Sequence, residues 1–91
     1  MTRFTYRELV DLVDGDRELI ALLVEEGEIE RKSDDVALVD LDRVLAARTL
    51  LRELEVTWPG VEIILRLRAE LASARRRITA LEAELAAERR R

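Results

Sequence analysis

Carboxylates and arginines supply most of the side chains that could do chemistry in this 91-residue chain. Twenty residues are acidic and 16 are basic, whereas histidine and cysteine, common as bases, nucleophiles and metal ligands, are both absent. The acidic run Asp11, Asp14, Asp16 and Glu18 lacks the glycine and the closing glutamate of a calcium-binding loop. The adjacent pair Asp34-Asp35 is typical of a solvated turn. We therefore expect a protein that is not an enzyme, with no catalytic residues, no cofactor and no metal site.

The charge of the chain is divided unevenly along its length. Up to Gly60 there are eight basic and fifteen acidic residues, a net charge of −7, whereas from Val61 onward eight basic and five acidic residues give +3. A protein that binds nucleic acid needs basic side chains to neutralise phosphates. The acidic first part therefore argues against nucleic acid and favours a basic partner.

Apolar segments long enough for export or membrane insertion are missing from the sequence. The chain begins without the apolar segment of a secretion signal, and its longest apolar run is the six residues Leu19–Val24. A membrane-spanning helix needs about 20 such residues. We expect a cytoplasmic protein that does not associate with a membrane.

The first part of the chain has apolar residues at helical spacing between capping and turn residues. Thr5, followed three residues later by Glu8, has the form of a capping box and predicts a short helix over about residues 6–13. After an Asp-Gly-Asp turn, Asp16 can cap a second helix over residues 17–26. Two short helices joined by three polar residues have the outline of a helix-turn-helix.

A hairpin and a third helix are predicted next. After Gly27, a residue that suits a helix C-terminus, Ile29 and the apolar segment 36–39 flank a polar turn, which indicates a small β-hairpin, or wing. Asp40 can cap a helix over residues 41–55. The side chains expected to face inward on that helix are Leu41, Val44, Leu45, Leu51 and Leu54.

The last part of the chain, residues 61–91, contains no helix breaker and follows the step Thr57-Trp58-Pro59-Gly60, where Thr57 is the expected cap of a long helix. Its apolar residues alternate spacings of three and four, the pattern of a coiled coil. The predicted dimerisation residues are Ile64, Leu67, Leu71, Ala74, Ile78, Leu81 and Leu85. We expect a homodimer; the alternative is a helix that folds back on the first part of its own chain.

The charges beside this repeat bear on how two helices would be oriented. In a parallel pair, each residue at heptad position g meets the residue five positions later, at position e of the other copy. Opposite charges meet in all three pairs, which are Glu70–Arg75, Arg77–Glu82 and Glu84–Arg89. Two antiparallel registers also bring opposite charges together, so the sequence leaves the orientation open.

The second predicted helix is apolar in its middle and acidic at its ends. One face is expected to pack inward through Ile20, Leu23 and Val24. An acidic rim around apolar residues on the other face suits a basic partner helix. The predicted partner-binding residues are Glu18, Leu19, Leu22, Glu25 and Glu26. The alternative is that the hairpin or a second copy covers the two leucines of this set.

The order of these elements resembles the winged-helix superfamily of MerR-type regulators. The resemblance covers nearly the whole chain and includes the segments Phe4–Leu9, Glu25–Ile29 and Asp40–Val44, followed by a long C-terminal helix. Within that superfamily, the segment Leu54–Val61, with its Trp-Pro-Gly step, is similar to the chaperone-modulator family CbpM.

This resemblance implies both an architecture and a function. The implied fold is mainly α: a MerR-like winged helix-turn-helix with a small β-hairpin wing over residues 1–56, then a long coiled-coil helix over residues 57–91. Members of the family are small cytoplasmic proteins that bind the J-domain of a DnaJ-like co-chaperone, CbpA, and block its stimulation of the chaperone DnaK. The resemblance therefore implies a chaperone modulator whose partner is a J-domain protein.

Two other hypotheses remain open from the sequence. The first is a MerR-type transcriptional regulator that binds DNA as a dimer. DNA-binding relatives carry basic residues at the positions aligned with Glu18 and Ala21, and a Gly-Arg-Tyr type wing sequence that is missing from residues 33–39. Those departures argue against DNA as a partner. The second is a bare dimerisation module that tethers another protein.

Overall fold

A computed structural model describes residues 1–90; Arg91, which the sequence analysis includes in the long helix, lies outside the described residues. The elements are β1 (Thr2–Thr5), α1 (Tyr6–Leu12), α2 (Arg17–Glu25), β2 (Ile29–Arg31), β3 (Val36–Val39), α3 (Leu41–Arg48), a π-helical turn (Thr49–Glu53) and α4 (Trp58–Arg89). The chain is therefore mainly helical, with a small antiparallel sheet and a long C-terminal helix, and these broad features of the predicted fold class are confirmed.

The two short helices are bounded by the predicted caps. The Glu8 N–H donates to the Thr5 hydroxyl at 3.1 Å, and the Thr5 N–H donates to the Glu8 carboxylate at 3.0 Å, which confirms the capping box. Asp16 caps α2 by accepting a hydrogen bond from the Leu19 N–H at 3.1 Å. Gly27, with a φ of 79°, follows the last turn of α2 in the left-handed conformation that glycine adopts readily.

Three short strands form one antiparallel sheet in the order β1-β3-β2. The pairing of Ile29 with Val39 confirms the predicted hairpin. The strand β1, which was not predicted, pairs with the other side of β3 so that Thr2 lies opposite Val39. Alternation of β-branched and aromatic residues with Arg3 was the available strand signal.

The prediction of one helix over residues 41–55 is wrong in its last part. Regular α-helix ends at Arg48, and in the wider turn that follows, the Leu54 N–H donates to the Thr49 carbonyl at 3.0 Å. Glu55 then takes a left-handed conformation, with a φ of 54°. Leu54 is consequently 63% exposed instead of facing inward, because the wider turn changes the direction of the side chains that follow it. Of the other predicted inward-facing residues, Val44 is buried and Leu41, Leu45 and Leu51 are half-buried.

The start of α4 completes the hydrophobic core. The helix begins at Trp58, directly after its predicted cap, because Pro59 is tolerated in the first turn of a helix. Thr57 is the N-cap residue as predicted, although its side chain makes no capping hydrogen bond. Val61 and Leu65, on the first two turns, are fully buried beside α3 and the π-helical turn.

Burial along α4 divides the molecule into two regions. Every residue from Arg66 to Arg90 is exposed. We call residues 1–65 the head and residues 66–90 the tail. The molecule measures 56 × 29 × 19 Å because the tail projects from the head. A tail that folds back on its own chain, the alternative left open by the sequence, is therefore ruled out for the described residues.

Candidate functional site

Arginine–carboxylate pairs join both ends of α2 to α3 and the π-helical turn. At the N-terminal end, Arg52 donates to the two Asp16 carboxylate oxygens at 2.7 and 3.2 Å. Just beyond the C-terminal end, Arg43 donates to the two Glu28 oxygens at 2.7 and 2.8 Å. Because a forked guanidinium–carboxylate pair fixes direction as well as distance, these contacts orient α2 on the head.

These pairs also shift the pKa values of their members. Hydrogen bonds from Arg52 are the main cause that lowers the pKa of the Asp16 carboxyl, and the same bonds raise the pKa of Arg52. Hydrogen bonding to Glu28 raises the pKa of Arg43. Arg48 forms a further ion pair with Asp14 in the turn before α2. Three arginines of the head are thus neutralised within the head, where they cannot also bind phosphate without breaking these pairs.

The outer surface of α2 carries the carboxylates that the sequence analysis singled out. Successive residues of a helix lie 100° apart, which places Glu18, Leu22 and Glu25 close to one line and Glu26 beside them. The three glutamates are exposed, and none of them forms an ion pair among residues 1–90. Glu18 does contribute to the raised pKa of Arg52, whose own ion pair is with Asp16. We name this surface the acidic face and define it as Glu18, Ala21, Leu22, Glu25 and Glu26.

Leu19 does not belong to the acidic face. Its side chain is fully buried, together with those of Ile20 and Leu23, because α2 packs against α1 and β2. The prediction that Leu19 binds a partner is therefore wrong: the residue is part of the core. Leu22 is half-buried and Val24, which was expected to pack inward, is half-buried as well.

A groove that the sequence analysis does not identify lies between α2 and the β2–β3 hairpin. It has a volume of about 500 Å³, and its apolar lining includes Ile20, Val24 and Ile29. Ala21 lines the groove and also belongs to the acidic face, so the two surfaces are continuous. The charged residues of the lining are Arg17, Arg31, Asp34 and Asp35. No sequence signal marks this groove, because it depends on the distance between a helix and a hairpin.

The tail presents the second surface of interest. Its large apolar residues at heptad positions are between 48% and 58% exposed. We name this surface the apolar stripe and define it as Leu67, Leu71, Ala74, Ile78, Leu81 and Leu85. Covering the exposed half of one leucine side chain stabilises a protein by roughly 1 kcal/mol. Ile64, the first residue of the predicted repeat, is half-buried and lines a shallow groove with Leu45 and Leu50.

Within residues 1–90, no group of three or more acidic side chains is arranged to hold a metal ion. Among the helices of that same range, none is both long enough and apolar enough to span a membrane. Comparisons with models of protein families, with curated proteins and with solved structures found no match. The acidic face, the groove and the apolar stripe are therefore the features from which a function is inferred.

Proposed function

We propose that this chain is a chaperone modulator that binds the J-domain of a DnaJ/CbpA-type co-chaperone and so blocks or tunes its action on DnaK (Hsp70). The acidic face carries this proposal: Glu18, Glu25 and Glu26 are exposed on one helix without an internal ion pair in the described part of the chain. J-domains of the family that the sequence resembles engage DnaK through a basic helix. A partner that occupies this basic helix competes with DnaK for it.

The proposed fold of the head is a MerR-like winged helix-turn-helix. The order of α1, a tight turn, α2, the β2–β3 hairpin and α3 supports it. In DNA-binding proteins of this kind the second helix is the recognition helix. Because α2 carries glutamates on its exposed surface, a basic protein helix suits this position better than DNA.

The spacing of the glutamates indicates how a partner helix could lie. Glu18 and Glu25 are seven residues apart, which is about 10 Å along α2 at 1.5 Å per residue. Basic residues seven positions apart on a partner helix aligned with α2 would meet both. Small apolar side chains between them would contact Ala21 and Leu22 and could reach the groove beside them. Docking of this kind combines charge attraction at the ends with apolar contact in the middle.

Calorimetric titration with the J-domain of a co-chaperone from the same genome tests the proposal. Wild-type chain should bind saturably, and more weakly at 0.5 M than at 0.05 M salt, because salt screens exposed charges. The variant Glu18→Lys/Glu25→Lys/Glu26→Lys should lose at least tenfold in affinity. The matched control Asp11→Lys/Glu53→Lys/Glu62→Lys makes the same change in net charge at exposed positions outside the acidic face and should retain most of the affinity.

Two results would contradict the proposal. One is the absence of binding by the wild-type chain at tens of micromolar. The other is equal affinity of the two charge-reversed variants, which would show that only net charge matters and that the acidic face is not the docking site.

A second candidate function, DNA binding by a dimer, is favoured by the same order of helices and hairpin. It requires affinity for duplex DNA that falls steeply with salt, with a logarithmic slope of about 0.9 per phosphate contacted. The net charge of −7 up to Gly60 and the internal pairing of Arg43, Arg48 and Arg52 disfavour it. A bare dimerisation module, the third candidate, would bind its partner equally well after reversal of the acidic face.

A further inference from the structure

We propose that the apolar stripe joins two copies of this chain in a parallel, in-register coiled coil, with both heads at the same end. A dimer is already expected from the heptad repeat, whereas its orientation goes beyond that expectation. The inference rests on the proposed function only in treating the acidic face as the docking surface. If the orientation is parallel, the dimer presents two acidic faces at one end and brings its two basic C-termini together at the other.

The head leaves the apolar stripe accessible to a second helix. Val61 and Leu65, which hold α4 against the head, lie at heptad positions e and b, whereas the stripe occupies positions a and d. At 100° per residue, the centre of the stripe is roughly 140° around the helix from these two buried residues. Two heads at the same end would therefore lie on opposite outer sides of a parallel pair of helices.

The residue types at the repeat positions suit two parallel strands. Parallel dimers favour β-branched residues at position a and leucine at position d. Isoleucine occupies two of the four a positions, Ile64 and Ile78, with leucine at the other two, and leucine occupies two of the three d positions, Leu67 and Leu81. Isoleucine is absent from the d positions of this repeat, and isoleucine at d is the feature that shifts the preference to higher oligomers.

The exposed charges beside the stripe distinguish the orientations. In the parallel register, all three g–e pairs on each side join opposite charges, and none joins like charges. The residues concerned are exposed and form no ion pair within the described part of their own chain, so they are available to a second copy. Their six attractive pairs per dimer are Glu70–Arg75, Arg77–Glu82 and Glu84–Arg89, each occurring twice.

In an antiparallel pair g meets g and e meets e, and the three registers near the middle of the repeat each bring arginines together. Two of these registers pair opposite charges at position g, either Glu70 with Arg77 or Arg77 with Glu84. The first register also places Arg68 against Arg75 of the other copy, and the second places Arg68 against Arg89. The register between these two sets Arg75 and Arg77 each opposite itself. Like charges in contact are destabilising, so the choice among registers favours the parallel one.

Cysteine cross-linking tests the orientation, because the chain has no cysteine of its own. Disulfides form only between residues whose Cα atoms approach within about 7 Å. In the parallel register, Leu71→Cys and Leu85→Cys each meet their own copy, so each single variant should form a covalent dimer under mild oxidation. The control Ala83→Cys, at the outward position f, should stay monomeric on a non-reducing gel.

An antiparallel dimer would give the opposite pattern. Neither single variant would cross-link efficiently to itself, and Leu85→Cys would instead cross-link to Leu67→Cys or to Ala74→Cys when the two proteins are mixed. That pattern would overturn the proposal. A chain that sediments as a monomer at tens of micromolar would overturn it as well.

A variant with a charge in the stripe separates this inference from the proposed function. Ile78→Asp places a carboxylate at an a position of each copy and should raise the dimer dissociation constant by at least 100-fold. Its head is unchanged, so each chain should keep its affinity for a J-domain. Loss of dimerisation with binding retained shows that the stripe and the acidic face act separately, whereas a wild-type chain that dimerises in parallel without binding a J-domain refutes the proposed function alone.

Discussion

Leucine side chains have opposite environments in the two regions of the molecule. Leu23 in the head is 0% exposed, whereas Leu81 in the tail is 58% exposed. Three arginines of the head, Arg43, Arg48 and Arg52, are paired with acids of the head, whereas the arginines of the described tail form no ion pair. The head thus buries its core apolar side chains and pairs these three arginines internally, whereas the tail is suited to cover its apolar repeat and pair its charges with another molecule.

Matched leucine truncations should have the largest and most different effects. Leu23→Ala creates a cavity in the core and should lower the free energy of unfolding of the head by about 2–5 kcal/mol, independently of protein concentration. Leu81→Ala removes the same atoms from the tail and should act only through dimerisation, so its effect on the melting temperature should depend on concentration.

Thermal melts at two protein concentrations, followed by circular dichroism, measure both effects. If Leu23→Ala does not fold, the milder Ile20→Val should still cost about 0.5–1.5 kcal/mol. A concentration-independent loss in Leu81→Ala would mean that the tail is stabilised within its own chain, and the contrast between the two regions would be wrong.

Enlarging Ala74 tests whether the apolar stripe of the tail is buried between two copies. Ala74→Leu adds apolar atoms at position d, and their burial between two copies should stabilise the dimer by about 1–2 kcal/mol per chain. Ala83→Leu, an equal enlargement at an outward position, should leave the dimer within about 0.5 kcal/mol of wild type. Analytical ultracentrifugation measures both dissociation constants. Equal behaviour of the two variants would argue that no apolar interface forms along the stripe.

Replacing one arginine in each region should show which of them is structurally engaged. Arg43→Lys keeps the charge but loses the two-point contact with Glu28, and should cost about 1 kcal/mol of head stability. Arg66→Lys, at an exposed tail position without an ion pair in the described chain, should change stability by less than about 0.5 kcal/mol. Urea unfolding distinguishes them, and an equal loss in both would contradict the structural role of the Arg43–Glu28 pair.

The smallest expected effect is a pH dependence that belongs to the head. The pKa of Asp16 is lowered from its ordinary value of 3.8 chiefly by Arg52, so the stabilisation from its charged form is present above pH 3.8 and is lost as the pH falls through the lowered pKa. Asp16→Asn keeps a capping side chain but removes the charge. The variant should be less stable than wild type by up to about 1 kcal/mol near neutral pH, and this difference should shrink below pH 4. Unfolding curves between pH 2.5 and 7 test it; a constant difference would mean that ionisation of Asp16 contributes nothing.

Local signals in the sequence were sufficient for several elements of the fold. The capping box at Thr5 and Glu8 and the cap at Asp16 are made by residues within three positions of one another, so their spacing alone predicts them. The hairpin was likewise predictable from two apolar segments around a polar turn. The heptad leucines are exposed, as expected for a helix whose apolar repeat does not pack against its own chain.

The remaining features depend on contacts between distant segments. β1 forms because β3 offers it a free edge, which four residues near the start of the chain do not reveal. The burial of Leu19 follows from the packing of α1 and β2 against α2, whereas a helical wheel alone places Leu19 only about 20° from Glu26. The outward turn of Leu54 depends on a π-helical turn for which the sequence carries no simple signal. Among the predicted partner-binding residues, the exposure of the glutamates was easier to predict than that of the leucines, because glutamates without partners stay in water.

Amide hydrogen exchange of the wild-type chain, alone and with a saturating J-domain, tests the proposed division of roles most directly. It reports both regions in one measurement, because each backbone amide records whether its segment is covered or stabilised. We expect the J-domain to slow exchange over residues 17–26, which contain the acidic face, and to leave exchange over residues 66–90 unchanged. Slower exchange confined to residues 66–90, or no change in either region, would contradict the proposal that the head binds the partner and the tail joins two copies.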